Sequence, residues 1–111
     1  MSLYKQAFLE LARTNPAQAY DLLERIAMSK EPVSRALERM YDAEKRGGID
    51  GMIKATAARA KATKDAAKRE GIIEAIDIVI AHDGHKMSHS QIDALKGVQQ
   101  SLSTGTLLLG K

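Results

Sequence analysis

Apolar residues recur at helical spacing along almost the whole chain, and the residues that interrupt them are helix-stopping ones. Leu3, Ala7, Phe8 and Leu11 form the first stripe, which Thr14, Asn15 and Pro16 bring to an end. Asn15 is placed to cap a second helix, with Pro16 in its first turn and Gln18 at the capping-box position. Ala19, Leu22, Leu23, Ile26 and Ala27 supply its apolar side. Ser29 can cap a third helix that takes Pro32 in its first turn, where a missing amide hydrogen breaks no intrahelical bond. Val33, Ala36, Leu37, Met40 and Tyr41 continue that face until Gly47 and Gly48, which allow a left-handed exit and predict its end.

From Ile49 to His82 the pattern stays helical, interrupted only by Gly51 and Gly71. As one helix, this stretch would span about 50 Å at ~1.5 Å per residue. Its first half is alanine-rich, and its second half, from Ile72 to Ile80, is apolar on several sides. The β-branched run also permits a strand, but Glu74 and Asp77 spoil alternation, and Ile72, Ile76, Val79 and Ile80 fit helical spacing better. His82-Asp83-Gly84-His85 reads as a turn. Ser88 then caps a last helix through its spacing to Gln91, with Ile92, Leu95 and Val98 facing inward. The expected fold class is therefore all-α, a small helical bundle with an extended central helix. Residues 1–48 form a three-helix N-terminal unit, and residues 49–111 a helical region for oligomerisation or partner binding that ends in a tail.

The core available to such a bundle is thin. The 111 residues include one Phe, no Trp and three Tyr, so most apolar volume comes from Ala, Leu, Ile and Met. A chain of this size has little surplus burial, which makes self-association or a protein partner a natural way to cover the remainder. Leu107, Leu108 and Leu109 near the C-terminus point the same way, because three adjacent leucines are expected to dock on the domain or on a partner. Cysteine is absent, which excludes disulfides, thiolate nucleophiles and cysteine-ligated metals. No basic-then-apolar leader opens the chain, and no run of about 18 apolar residues could span a bilayer. The expectation is a soluble cytoplasmic protein without a membrane partner.

The net charge of +3 is unevenly placed. Residues 1–50 carry eight basic and eight acidic side chains, residues 51–70 six and two, and residues 71–111 three and four. Attraction for an anionic polymer therefore centres on the middle segment, where Lys54, Lys61, Lys64 and Lys68 are expected to line one helical side, flanked by Arg59 and Arg69. The competing reading is a solvated face laced by ion pairs of Asp65 with Lys61 and Arg69, each four residues away. No aromatic residues interleave with these lysines, so base stacking on single strands is poorly supported.

Residues 22–37 place two short helical patterns around a tight joint, with basic groups just beyond it. A helix-turn-helix needs that arrangement, because its second helix must project into the major groove. Lys30, Ser34, Arg35 and Arg39 would lie on the outer side, where Arg35 can bridge two acceptors on guanine and the others can reach base edges or phosphates. From Val33 to Leu37, Val-Ser-Arg-Ala-Leu resembles the start of the recognition helix in helix-turn-helix proteins of the lactose-repressor type. That local resemblance implies duplex DNA as partner.

His82, His85 and His89, with Asp83 between the first two, could converge on a borderline metal if the turn folds back. Polar residues around a turn and a helix start explain them better, and the expectation is no metal. With no nucleophile triad or phosphate-cradling glycine loop, no enzyme activity and no cofactor are expected. The leading expectation is a small non-enzymatic DNA-binding protein with regulatory or DNA-handling roles. The alternative is a helical adaptor that binds proteins through its helix faces and C-terminal tail.

Overall fold

The computed structural model describes residues 3–28 and 31–104. Among them are five α-helices and no strand: α1 (Leu3–Thr14), α2 (Pro16–Met28), α3 (Glu31–Ala62), α4 (Ala66–Asp83) and α5 (His89–Thr104), with a 3₁₀ turn at Gly84–Lys86 between the last two. The fold class is all-α, and no helix of the described residues is long and apolar enough to cross a membrane. Ser29 and Lys30 at the joint, and Leu107, Leu108 and Leu109 in the tail, lie outside the described residues.

The capping signals operate as their chemistry requires. Asn15 Oδ1 accepts the Gln18 amide hydrogen at 3.3 Å. The Gln18 side chain does not close the capping box on the Asn15 backbone; it accepts from Asn15 Nδ2 at 3.2 Å and donates to the carbonyl of Ala81, tying α2 to α4. At α5 the box is complete. Ser88 Oγ accepts from the Gln91 amide at 3.2 Å, and Gln91 Oε1 accepts from the Ser88 amide at 2.9 Å.

The long helical element is present, but it lies at Glu31–Ala62 instead of 49–82. Two local causes shift it. Asp65 adopts an extended backbone and accepts the Lys68 amide hydrogen at 3.1 Å, so α4 starts afresh after a break at residues 63–65. At the other end, Gly48 takes φ 73° and ψ −171°, a left-handed exit, but the chain turns there and resumes helix at once. α3 is consequently two arms meeting at Gly48, and the arms fold back on each other. A straight helix of 32 residues would measure about 48 Å, beyond the 43 Å longest dimension of the molecule. Across the bend, a Cβ placed on Gly51 would lie 3.6 Å from the Ala43 carbonyl oxygen.

The core runs through both segments flanking the bend. Val33, Ala36, Leu37, Met40 and Tyr41 from the first arm and Met52 and Ala60 from the second bury against Ile72, Ile76 and Val79 of α4 and Leu95, Val98 and Leu102 of α5. Helical spacing wins over the strand reading at 72–80 because neighbours surround α4: Ile72, Ala75, Ile76, Ile78 and Val79 are all buried. The close crossing of α4 with the start of α3 depends on Gly71, where any Cβ would come within 2.9 Å of Pro32 Cβ. Side-chain ties complete the layer. Gln99 Nε2 donates to the Ile73 carbonyl at 2.9 Å and to Asp77 Oδ1 at 2.7 Å, and Arg69 Nη2 donates to the Leu102 carbonyl at 2.6 Å.

Candidate nucleic-acid interface

The bend at Gly48 brings together side chains that are distant in sequence. Arg39 and Arg59 would stand about 30 Å apart on a straight helix, yet they border one cleft of about 350 Å³. Pro32 and Arg35 extend its wall along the first arm, Ala62 and Thr63 along the second, and Lys68 enters from the first turn of α4. Among the described residues, no aspartate or glutamate lines the cleft. The Arg59 guanidinium is held below its ordinary value, first by burial and then by the positive charge of Arg39. Thr63 closes the floor locally: its hydroxyl donates to the Arg59 carbonyl at 2.7 Å, and its amide to the same oxygen at 3.0 Å.

Three of the eight sequence-predicted binding residues border this cleft. Arg35, Arg39 and Lys68 share the cleft, and Ser34 is half-buried beside it in sequence. Lys54 and Lys61 are exposed on the second arm. Seven residues apart, they share a side lying roughly 140–160° around the arm from Arg59 at about 100° per residue. Lys64 is exposed in the break between helices, and Lys30 lies outside the described residues. The single lysine row expected from 54 to 68 does not exist, because the chain breaks at residues 63–65 and Lys68 belongs to another helix. The expected ion pairs of Asp65 give way to its capping role, and Arg69 turns to the α5 carbonyl. Arg59 is the cleft residue that linear reading leaves as a flank. Once Gly47–Gly48 is taken as a hairpin bend, residues some way before it come alongside residues some way after it, and 39 and 59 then border one cleft.

The first arm of α3 presents Arg35, Glu38 and Arg39 outward while Val33, Ala36 and Leu37 are buried. Leu22 of α2 and Leu37 of α3 border the same small cavity, with Phe8 of α1 and Ile78 of α4.

A second ionisable cluster sits where α4 passes the first arm of α3. The Asp83 carboxylate accepts from His82 Nδ1 at 2.5 Å and lies 3.8 Å from Lys86 Nζ. Tyr41 meets the His82 ring edge-on at 6.3 Å between centroids. The Tyr41 hydroxyl is pushed far above its ordinary value, by burial foremost and then by Asp83. Glu44 is also raised by burial and then by Asp83. His82 is raised because Asp83 accepts its proton, against the opposing pull of burial, and the Ala7 carbonyl helps from α1. His82 is buried while His85 and His89 are exposed, and His82 and His85 border one cavity with Glu10 and Lys86. Among the described residues, no group of three or more His, Asp or Glu side chains is placed to hold a metal ion.

No protein-family model, curated protein or solved structure matches this chain.

Proposed function

We propose that the chain is a non-enzymatic DNA-binding protein that grips the sugar-phosphate backbone in the cleft between the α3 arms and the start of α4. One observation carries this reading: cationic side chains from three separate stretches, Arg39, Arg59 and Lys68, with Arg35 on the same wall, border a cavity whose described lining residues include no carboxylate. Guanidinium groups suit phosphate because their fork of donors matches its oxygens. Lys54 and Lys61, on the side of the second arm turned away from Arg59, and Lys64 in the break before α4 add longer-range attraction from exposed positions outside the cleft. A concave cation cluster supports positioning on phosphates over insertion into the groove, so Arg35 and Arg39 are assigned to the backbone. Sequence reading, if present, falls to Lys30 and Ser34 at the start of the helix-turn-helix-like unit. A symmetric dimer would place two such units near one helical turn of DNA, about 34 Å apart.

The test is binding to closed circular duplex DNA across a salt series, comparing the intact chain with Arg39→Ala and with a Lys54/Lys61/Lys64 alanine variant. Each lost phosphate contact should flatten the slope of log affinity against log salt by about 0.9. Absence of duplex binding at low salt would overturn the reading.

The second reading, a helical adaptor that binds itself or another protein, is favoured by Leu9 and Tyr20, large apolar side chains 54% and 65% exposed on α1 and α2. A mass measurement in solution, repeated on Leu9→Ser/Tyr20→Ser, tests self-association through that surface.

A further inference from the structure

The geometry points to the Arg39–Arg59–Lys68 cleft as a site for a terminal phosphate group carrying two or more negative charges, in preference to an internal phosphodiester. This inference rests on the reading of the cleft as a phosphate site and specifies which phosphate.

The argument is one of charge per volume. An internal phosphodiester brings a single negative charge, and its neighbours along the strand are spread out, so a backbone is best followed by cations set in a row. Here the cations are not in a row. Arg39 comes from the first arm of α3, Arg59 from the second, and Lys68 from α4, and all three border the same 350 Å³. That volume is near the lower end of small-molecule sites and exceeds what one coordinated oxygen atom requires. A phosphomonoester brings about −1.5 to −2 charges and three acceptor oxygens to one point, and a di- or triphosphate brings more. Such a group can answer three neighbouring cations at one point, where a single internal phosphodiester presents one charge.

The cleft is also built to persist without a ligand. Gly71 lets the start of α3 cross α4 in contact, and the Asp65 cap fixes the turn that carries Lys68. The Thr63 hydroxyl and amide both hold the Arg59 carbonyl, fixing the backbone beneath the partly buried guanidinium. The site is thus preorganised against the repulsion of its own like charges, which an anion would relieve. Among the described residues no aromatic side chain borders the cleft, so these residues offer a base attached to the phosphate no stacking, and their recognition rests on the phosphate itself. Two sources supply this chemistry: the free polyphosphate of a nucleotide, and the 5′-phosphorylated end of a DNA strand.

The experiment titrates the full chain with pyrophosphate, ATP and orthophosphate by calorimetry and amide NMR. In parallel it compares short blunt duplexes bearing 5′-phosphate or 5′-hydroxyl ends. Pyrophosphate should shift amides near Arg39, Arg59 and Lys68, and bind about tenfold or more tightly than orthophosphate. Arg59→Gln and, independently, the exposed Arg39→Gln should each weaken pyrophosphate by about tenfold or more. Lys96→Ala, which removes the same charge from α5 outside the cleft, should leave affinity unchanged. A 5′-phosphate preference lost in Arg59→Gln would assign the ligand to a DNA end, and ATP binding without that preference would assign it to a free nucleotide. The inference is overturned if no ligand in the set binds in an Arg59- and Arg39-dependent way, if orthophosphate equals pyrophosphate, or if Lys96→Ala weakens binding as much as the cleft variants. Binding to closed circular DNA, which has no ends, is read separately, so either reading can fail alone.

Discussion

Around Asp83, a carboxylate 2% exposed takes a hydrogen bond from His82, lies 3.8 Å from Lys86 and adds to burial in raising the pKa of the Tyr41 hydroxyl, whereas Arg59 borders a cleft with Arg39 and Lys68 whose described lining residues include no carboxylate. Both regions concentrate ionisable groups, and both are partly desolvated. The first satisfies its charges internally, with opposite signs and hydrogen bonds, which is what a buried cluster needs to be tolerated. The second leaves a one-signed surplus beside an opening. A balanced cluster holds elements together, here α1, the first arm of α3 and α4, while an unbalanced one stores an interaction that only a ligand of opposite charge completes.

The largest expected effect is at Asp83. Replacing it with alanine would leave the buried His82 ring without its acceptor and Lys86 without its partner, and should cost roughly 3–5 kcal/mol in urea unfolding. Phosphate binding per folded molecule should be untouched. A loss below about 1 kcal/mol would mean that the cluster is not a structural keystone, and the contrast between the two regions would collapse. Next in size is Gly71→Ala. A methyl group within 2.9 Å of Pro32 Cβ and 3.1 Å of the Pro32 carbonyl carbon forces backbone apart, for about 1–3 kcal/mol. Because Pro32 forms part of the cleft wall, this variant should also weaken pyrophosphate binding, linking packing to the site without touching a charge.

These two regions also differ in how well the sequence foretells them. Helix identities and caps are local, so Asn15, Ser88 with Gln91, and the apolar spacing of Ile72, Ile76 and Val79 announce themselves. The all-α class follows from them. Asp65 misleads because its spacing to Lys61 and Arg69 suits ion pairs on a continuing helix equally well, and only tertiary packing selects the cap. Gly48 is legible as a left-handed exit, but the direction taken after it depends on whether the next segment finds an apolar surface nearby. The alanine-rich second arm does, through Met52 and Ala60. The meeting of Arg39 and Arg59 at one cleft is a consequence of that fold-back, so a reading along the chain sees a lysine row where the structure has a three-walled cleft. His82 and Asp83 are likewise adjacent in sequence, but their burial beside Tyr41 requires two helices to cross.

A smaller effect sharpens the comparison through pH. His82 has its folded value raised above the ordinary 6.5, and Glu44 has its own raised above 4.5. In both cases the folded state holds protons more tightly than the unfolded state between the unfolded and folded values, so stability declines as pH rises across that interval. The His82 contribution is fully present below about pH 6.5 and fades as pH passes its raised folded value; the Glu44 contribution fades at lower pH, above about 4.5. The melting temperature of the intact chain should therefore fall from mildly acidic toward alkaline pH. His82→Gln should be less stable at acidic pH and show a flatter profile above 6.5. A profile that rises with pH over this window would contradict the hydrogen-bonded imidazolium and remove the basis for calling the Asp83 region balanced.

The smallest effect is the sharpest test, because it asks for almost nothing to happen. Arg59→Met keeps an aliphatic stem of similar reach while deleting a charge that burial and Arg39 both disfavour. Like-charge repulsion is lost along with the guanidinium, so unfolding free energy should change by no more than about 0.5 kcal/mol, in either direction. The same repulsion is screened by salt, and the intact chain should gain stability between about 0.01 and 0.15 M ionic strength, over which the Debye length contracts from about 30 to 8 Å. Arg59→Met should gain less over that range. Near-neutral stability combined with lost phosphate affinity is the signature of a group retained for binding. If the variant instead unfolds with a loss above about 2 kcal/mol, Arg59 is holding the arms together, and the cleft belongs with the Asp83 cluster as a structural element.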